Sequence, residues 1–89
     1  MQVRAAAPTG VPGSIDVRGQ TGAEAREAVR RYVDAAQLAG LPEVEIIHGR
    51  GTGAVRKAVR DELARHPLVT ATETASADGA TRVRFGGSQ

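Results

Sequence analysis

The chain has 89 residues, a length that builds one small domain with a single core. Apolar residues make up 40% of it, but one Phe, one Tyr and no Trp leave the core to Val, Ile, Leu and Ala. The absence of cysteine excludes disulfides and thiolate metal sites, and no apolar run reaches the roughly 18 residues that span a bilayer. We expect a soluble cytoplasmic domain without membrane partners. The net charge is only +2, so any electrostatic role depends on how the charges are distributed over the surface.

The chain begins with a segment that has no regular periodicity. Residues 1–14 are rich in Pro, Gly and small side chains, which predicts a flexible linker and suggests a piece of a longer protein. Residues 14–19, SIDVRG, then alternate between apolar and polar side chains and stop at Gly19. This alternation predicts a short first strand with one apolar face.

A helix is predicted to follow this strand. Thr21 and Glu24 match a capping box, in which the Thr21 hydroxyl accepts from the Glu24 amide and the Glu24 carboxylate accepts from the Thr21 amide. Gly40 can take the left-handed conformation that ends a helix, and Pro42 prevents continuation. Leu38 alone is misplaced on the helical wheel. The predicted buried half of the helix comprises Ala25, Ala28, Val29, Tyr32, Val33, Ala35, Ala36 and Ala39.

The second half of the chain contains one more helix and three more strands. Residues 43–49 predict a strand, and residues 54–66 predict an amphipathic helix that ends before Pro67. Two alternating runs, 68–75 and 80–85, follow and are joined by SADG, a hairpin signal. The strand faces and helix face predicted to be buried comprise Val44, Ile46, His48, Val55, Ala58, Val59 and Leu63.

The order of these elements predicts an α/β fold, a two-layer sandwich of the type βαβαββ. Each strand-helix-strand passage predicts parallel neighbouring strands, while the hairpin adds an antiparallel strand. We therefore expect a mixed four-stranded sheet covered by two helices. The domain should occupy residues 15–85, and residues 86–89 should form a disordered tail.

A glycine-rich loop lies between the second strand and the second helix. Unpaired amides and the helix dipole favour an anion there, and glycine lets a phosphate approach the backbone closely. Cations lie in the loop and on the first turns of the helix. The alternative is that the glycines only permit tight packing of strand against helix. The predicted phosphate or nucleic-acid-binding residues are Gly49, Arg50, Gly51, Thr52, Gly53, Arg56, Lys57 and Arg60.

Two titratable side chains accompany this loop. His48 either hydrogen-bonds a backbone carbonyl at the strand end or serves as a proton donor, proton acceptor or phosphate ligand. The carboxyl ends of parallel strands meet at one sheet edge, which should bring Asp16 and Arg18 close to His48. Asp16 then either orients His48, binds a metal, activates water or pairs with Arg18 or another nearby arginine. One Asp and one His are too few ligands to predict a metal site, so the sequence does not decide whether a divalent cation is a cofactor. His66, at a helix end, is expected to be structural.

Three segments resemble a known family. IDVRGQTGAEA, IIHGRGTGAVRKAVRDEL and HPLV are similar to the Smr (small MutS-related) domain, with its L-D-x-[RH]-G segment, H-G-x-G-x-G loop and terminal strand pair. The resemblance covers residues 14–85. It implies a fold like the C-terminal domain of translation initiation factor three, and nucleic-acid binding, often with nicking. The family occurs alone, in eukaryotic proteins, and at the C-terminus of the second bacterial MutS paralogue. We expect the chain to be the C-terminal domain of this last protein, an ATPase implicated in recombination control and in handling collided ribosomes.

The resemblance also assigns roles to residues. Asp16 and Arg18 match the first family motif, and His48 with the loop glycines matches the second. Many cleaving members carry D-x-H, whereas this chain reads Asp16-Val17-Arg18 and so lacks a second imidazole. We expect an endonuclease acting on DNA or RNA, with Asp16, Arg18 and His48 as its catalytic residues. The alternatives are a non-catalytic module that docks on nucleic acid or the ribosome, and a protein-interaction domain.

Overall fold

The computed structural model describes residues 10–51 and 53–86. Most of the predicted linker, Thr52 of the predicted binding loop, and residues 87–89 of the predicted tail lie outside these ranges. No helix in the two ranges combines the length and apolar character needed to cross a membrane. The elements are β1 (Ser14–Asp16), α1 (Gly22–Leu38), β2 (Glu43–Ile47), α2 (Ala54–Ala64), β3 (Val69–Ala75), a single 3-10 turn (Ser76–Asp78) and β4 (Ala80–Phe85).

The four strands form one mixed sheet in the order β1-β2-β4-β3. β1 runs parallel to β2, and β4 is antiparallel to both β2 and β3. The predicted mixed sheet is confirmed, but the expectation that β2 and β3 are neighbours is wrong because β4 lies between them. β4 places Thr81 and Val83 in the interior, whereas most of β3 is exposed. The more apolar strand therefore takes the central position.

Helix α1 begins and ends as its sequence predicts. The Thr21 hydroxyl accepts from the Glu24 amide at 3.1 Å, and the Glu24 carboxylate accepts from the Thr21 amide at 2.9 Å. At the other end, Gly40 adopts a φ of 80°. Ala35 was predicted to be buried but is exposed, because it lies at the border of the apolar face. The residues of α1 that are buried are Ala25, Val29, Tyr32, Val33 and Ala36.

Helix α2 packs beside α1 and completes the helical layer. It ends at Ala64, two residues before the predicted end, and Arg65 forms the C-cap. Val59 and Leu63 of α2 are buried in the core against Ile46 of β2 and Val83 of β4. His66 follows and donates from Nε2 to the Asp34 carboxylate of α1 at 2.9 Å, while its Nδ1 accepts from the Leu68 amide.

The opposite face of the sheet carries paired charges. Arg82 of β4 lies 3.6 Å from the Glu73 carboxylate of β3 and 3.9 Å from the Glu45 carboxylate of β2. Arg84 lies 3.5 Å from the Glu43 carboxylate in the next pair along the strands. These cross-strand pairs match the register of β4 with its two neighbours and make the open face polar. The domain therefore consists of two layers, as predicted.

Part of the predicted linker is held against the domain. Val11 packs against the core, the Glu45 amide donates to the Gly13 carbonyl at 3.0 Å, and the Tyr32 hydroxyl donates to the Pro12 carbonyl at 2.5 Å. Burial of this phenol raises the pKa of Tyr32 to about 12. The contacts of residues 11–13 thus extend the packed domain ahead of β1.

We expect Tyr32→Phe to lower the free energy of unfolding by about 1 kcal/mol, because it removes one buried hydrogen bond. The raised pKa also predicts alkaline sensitivity. The phenol's contribution to stability is complete below its ordinary pKa of 10.0 and is lost as the pH rises toward about 12. Tyr32 is the only tyrosine and there is no tryptophan, so phenolate absorbance titrates this one group. The pH midpoint of this titration should be higher for the folded chain in buffer than for the unfolded chain in urea. Equal midpoints would contradict the prediction.

Candidate functional site

The carboxyl ends of β1 and β2 meet at one edge of the sheet. Asp16 is in register with Ile47, and the Val17 amide donates to the Ile47 carbonyl at 2.8 Å. This pairing carries Arg18 over the start of the glycine loop, where a Cβ built on Gly49 would lie 3.3 Å from the Arg18 Cγ. The two predicted motifs are therefore adjacent in space, because the parallel strands end side by side.

The loop from β2 to α2 has a left-handed backbone at its glycines. Gly49 has a φ of 73°, and Gly53, the N-cap of α2, has a φ of 90°. Other residues adopt such angles at a cost, so glycine is required by the path of the chain. Gly53 also has no side chain that could accept from the first-turn amides of α2. A pocket of about 220 Å³ opens here, and its lining includes Gln20, His48, Arg50, Arg56 and the loop glycines.

His48 is buried at this junction, with only 5% of its surface exposed. Its Nδ1 lies 2.7 Å from the Gly49 carbonyl oxygen, which can only accept, so Nδ1 carries the proton and donates. The other nitrogen, Nε2, lies 2.9 Å from the Thr81 hydroxyl of β4 and accepts from it in the neutral ring. Both ring nitrogens are therefore occupied, and His48 joins the loop to β4.

The hairpin between β3 and β4 holds the loop from the other side. The Gly79 carbonyl accepts from the His48 amide at 3.0 Å and from the Gly49 amide at 2.9 Å. The turn before it is left-handed, with φ angles of 52° at Ser76, 54° at Ala77 and 75° at Asp78. The hairpin lies where the Asp78-Gly79 pair predicted it, but the positive φ angles fall on the three residues before Gly79. The start of the glycine loop is thus fixed by backbone hydrogen bonds.

Asp16 and Arg18 form a two-pronged ion pair. The Arg18 Nε donates to both Asp16 oxygens at 2.9 and 3.0 Å, and a terminal guanidinium nitrogen donates at 2.6 Å. The Arg18 guanidinium, followed by the Arg18 backbone amide, lowers the pKa of Asp16 from 3.8 to about 2. The same contact raises the pKa of Arg18. Asp16 is therefore a carboxylate at neutral pH and has no proton to donate.

The cations predicted on α2 all have carboxylate partners. Arg56 and Arg60 both contact Asp78 of the hairpin turn, the latter at 3.3 Å. Lys57 lies 3.0 Å from the Asp61 carboxylate one turn along the helix. Arg50 differs from these three, because within 10–51 and 53–86 it is exposed and forms no ion pair.

The structure adds three residues that the sequence patterns did not indicate. Thr81, Gly79 and Asp78 belong to the hairpin, yet they contact His48, the loop backbone and the α2 arginines respectively. Their only sequence signal was the hairpin turn itself. A second depression of about 610 Å³ lies along α1, but two of its carboxylates are occupied, Glu24 by the cap and Glu27 by arginines. The glycine-loop pocket is therefore the candidate site.

Metal ligands are sparse in this region. Throughout the described residues, no three His, Asp or Glu side chains lie together in an arrangement that could hold a metal ion. Asp16 is ion-paired with Arg18, and His48 is hydrogen-bonded to Thr81, so both candidate metal ligands already have partners. Thr52, the remaining predicted binding residue, lies in the gap between the described ranges.

Fold and site together define a two-layer α/β domain in which a glycine-rich loop leads from a parallel strand into a helix. The family model described as the Smr domain matches residues 15–86. The chain therefore belongs to the Smr domain family, and the resemblance predicted from its motifs is confirmed.

Two solved structures share this fold. The Smr domain of Thermus thermophilus MutS2 has a TM-score of 0.79 and 35% sequence identity, and the match covers 83% of this chain and 98% of that one. YdaL, a stand-alone small MutS-related protein from Escherichia coli, has a TM-score of 0.77 and 30% identity, over 82% of this chain and 63% of that one. The predicted fold class is confirmed by both.

Curated relatives are much longer proteins. Endonuclease MutS2 from Levilactobacillus brevis is 42% identical over an 87-residue alignment, and the match covers 93% of this chain and 11% of that protein. Endonuclease MutS2 from Caldicellulosiruptor saccharolyticus is 55% identical over 56 residues, which are 63% of this chain and 7% of that protein. The chain thus spans about a tenth of the length of these relatives or less.

Proposed function

We propose that this domain binds the sugar-phosphate backbone of DNA or RNA at the glycine loop. The observation that carries the proposal is the left-handed glycine at the N-terminus of α2, which has no side chain that could cap the first-turn amides, in a pocket that Arg50 also lines. Backbone amides and guanidinium groups are the donors that proteins use for phosphate oxygens. Such contacts recognise the backbone without reading base sequence, so we expect little sequence preference.

The binding residues fall into two groups with different roles. Gly51 and Gly53, with Thr52 between them, would form the cradle that a phosphate enters, and Gly49, whose amide already donates to Gly79, would contribute the space left by its missing side chain. Arg50 would contribute its charge directly, because no carboxylate in the described ranges competes for it. The α2 cations Arg56, Lys57 and Arg60 would bind neighbouring phosphates only by exchanging their present carboxylate partners.

Phosphodiester nicking is the second candidate function. It is favoured by the curated relatives, which bear the name endonuclease, and by the position of His48, Asp16 and Arg18 at one sheet edge. Water would attack the phosphorus and one P–O ester bond would break, leaving a phosphate end and a hydroxyl end. Arg18 would stabilise the developing negative charge. Proton transfer by His48 requires that Nε2 first leave Thr81, because both ring nitrogens are occupied.

The domain is further proposed to act inside a larger MutS-like polypeptide. This follows from the small share of the MutS2 relatives that the chain covers. In that setting the domain would place the ATPase on its nucleic acid, either in recombination control or on ribosomal RNA during ribosome rescue. Without catalysis, the same surface would serve as a docking module for nucleic acid or the ribosome.

Binding is tested by titrating fluorescent single-stranded and duplex oligonucleotides over a range of salt concentrations. We expect Arg50→Gln to weaken binding about three- to tenfold and to reduce the slope of log K against log salt by about one. Arg65→Gln is the matched control, since Arg65 is also exposed but lies at the far end of α2. Equal affinity of the two variants would place the binding surface elsewhere.

Cleavage is tested on supercoiled plasmid, with and without a chelator. Nicking that is lost in Asp16→Ala, while the variant still binds oligonucleotides, supports catalysis at this site. Nicking that persists in both Asp16→Ala and His48→Ala would come from a contaminant or another site. If the unmodified domain binds oligonucleotides but does not nick the plasmid, the result supports the docking function.

A further inference from the structure

One carboxylate of the hairpin faces two arginines of α2. The Arg56 guanidinium donates to Asp78 Oδ2, and the Arg60 guanidinium donates to Asp78 Oδ1 at 3.3 Å. Asp78 is 22 positions from Arg56 and 18 positions from Arg60 in the sequence, so the contact depends on the tertiary fold. Two guanidinium groups that converge on one anion form the kind of site that also takes a phosphate.

The cluster is open to exchange with solvent anions. The side chains of Arg56, Arg60 and Asp78 are 32%, 42% and 41% exposed, so the pairs are only partly shielded from water. Ion pairs with this exposure are individually weak and are screened by salt. A nucleic-acid phosphate arriving at the glycine loop can therefore compete with the carboxylate for the same guanidinium groups.

The hairpin turn that carries the Asp78 carboxylate is hydrogen-bonded to the glycine loop. Asp78 has a φ of 75°, and the next residue, Gly79, accepts from the amides of His48 and Gly49. The backbone that fixes the glycine loop thus also carries Asp78 to the α2 arginines. Arg56 additionally lines the glycine-loop pocket, which places the cluster at the edge of the proposed phosphate site.

We propose that Asp78 is an internal competitor of nucleic-acid phosphates for Arg56 and Arg60. This inference rests on the proposed nucleic-acid binding and deepens it. In the free domain, the Asp78 carboxylate occupies the arginine pair and reduces its effective charge. On binding, a phosphate replaces the carboxylate, so Asp78 lowers affinity and restricts tight binding to ligands whose phosphates reach both the loop and the arginines.

The test compares oligonucleotide binding by the parent chain and by Asp78→Asn. Asn tolerates positive φ and removes only the charge, and Asp78→Gly is a second variant that suits the same backbone. We expect both variants to bind about three- to tenfold more tightly at low salt, with a salt slope steeper by about one. Glu43→Gln is the matched control, because it removes a paired carboxylate at the opposite end of β2.

Arg60→Gln combined with Asp78→Asn completes the comparison, and most of the gain should disappear in the double variant. If the Asp78 variants gain no more affinity than Glu43→Gln does, or if both of them lose affinity, the inference is overturned while the proposed function stays intact. A parent chain that binds no oligonucleotide at low salt would instead contradict the proposed function.

A second measurement does not depend on nucleic acid. Inorganic pyrophosphate can be titrated while the side-chain Nε–H resonances of Arg56 and Arg60 are followed by NMR. These resonances should shift at several-fold lower pyrophosphate concentration in Asp78→Asn than in the parent chain. Identical titrations would overturn the competition, whatever the oligonucleotides show.

Discussion

Replacing His48 with alanine is expected to lower the free energy of unfolding by about 2–4 kcal/mol. The change removes a buried ring and takes away the partner of the part-buried Gly49 carbonyl and of the buried Thr81 hydroxyl. Urea denaturation followed by circular dichroism measures the loss. Nicking assays on this variant must therefore be read together with its stability, because loss of activity alone does not identify a catalytic residue.

Thr81→Val separates the structural role of His48 from a catalytic one. Valine preserves the shape of the side chain but takes away the partner of the His48 Nε2. We expect a loss of about 1–2 kcal/mol, and less than additive losses when this change is combined with His48→Ala. If His48 transfers protons, Thr81→Val should change the pH profile of nicking while the ring remains in place. Full stability of His48→Ala would show that the two hydrogen bonds contribute little.

Replacing Gly49 with alanine should affect both stability and binding. A Cβ at a φ of 73° strains the backbone, at a cost of about 1–2 kcal/mol. The same atom would lie 3.3 Å from the Arg18 Cγ, so Arg18 or the loop must move. Because the proposed phosphate contacts depend on this loop and on Arg18, we expect about tenfold weaker oligonucleotide binding, or about 1.4 kcal/mol.

Gly40→Ala provides the control for backbone strain. Gly40 has a φ of 80° at the end of α1, and a Cβ built there meets no atom within 4 Å. We expect a similar loss of stability with unchanged oligonucleotide affinity. Equal affinities of the two variants would mean that the glycine loop does not contact the nucleic acid, and would favour a purely structural role for Gly49.

Sequence patterns predicted the structure best where an interaction spans only a few residues. The capping box of Thr21 and Glu24 and the left-handed Gly40 depend on backbone geometry within one or two helical turns. The helix and strand periods also identified most of the buried residues, because apolar side chains must repeat on one face. Ala35 failed at the border of such a face, where small shifts in helix orientation decide exposure.

The candidate site could be located from the sequence but not described in detail. Two motifs at the ends of parallel strands predicted that Asp16, Arg18 and His48 would gather at one edge. The patterns could not decide whether Asp16 orients His48, binds a metal, activates water or pairs with Arg18, since that choice depends on how the side chains are placed in the folded chain. Nor could they show that Arg56 and Arg60 share Asp78.

The amino-acid sequence alone thus determined the order of the elements, the ends of α1, the family and the location of the loop, because these follow from local patterns. Only the tertiary structure decided that β4 enters the sheet between β2 and β3. That placement brings Thr81 to His48 across 33 residues and Gly79 to the glycine loop. Partners this distant leave no periodic signal, because they are selected by the packing of whole strands.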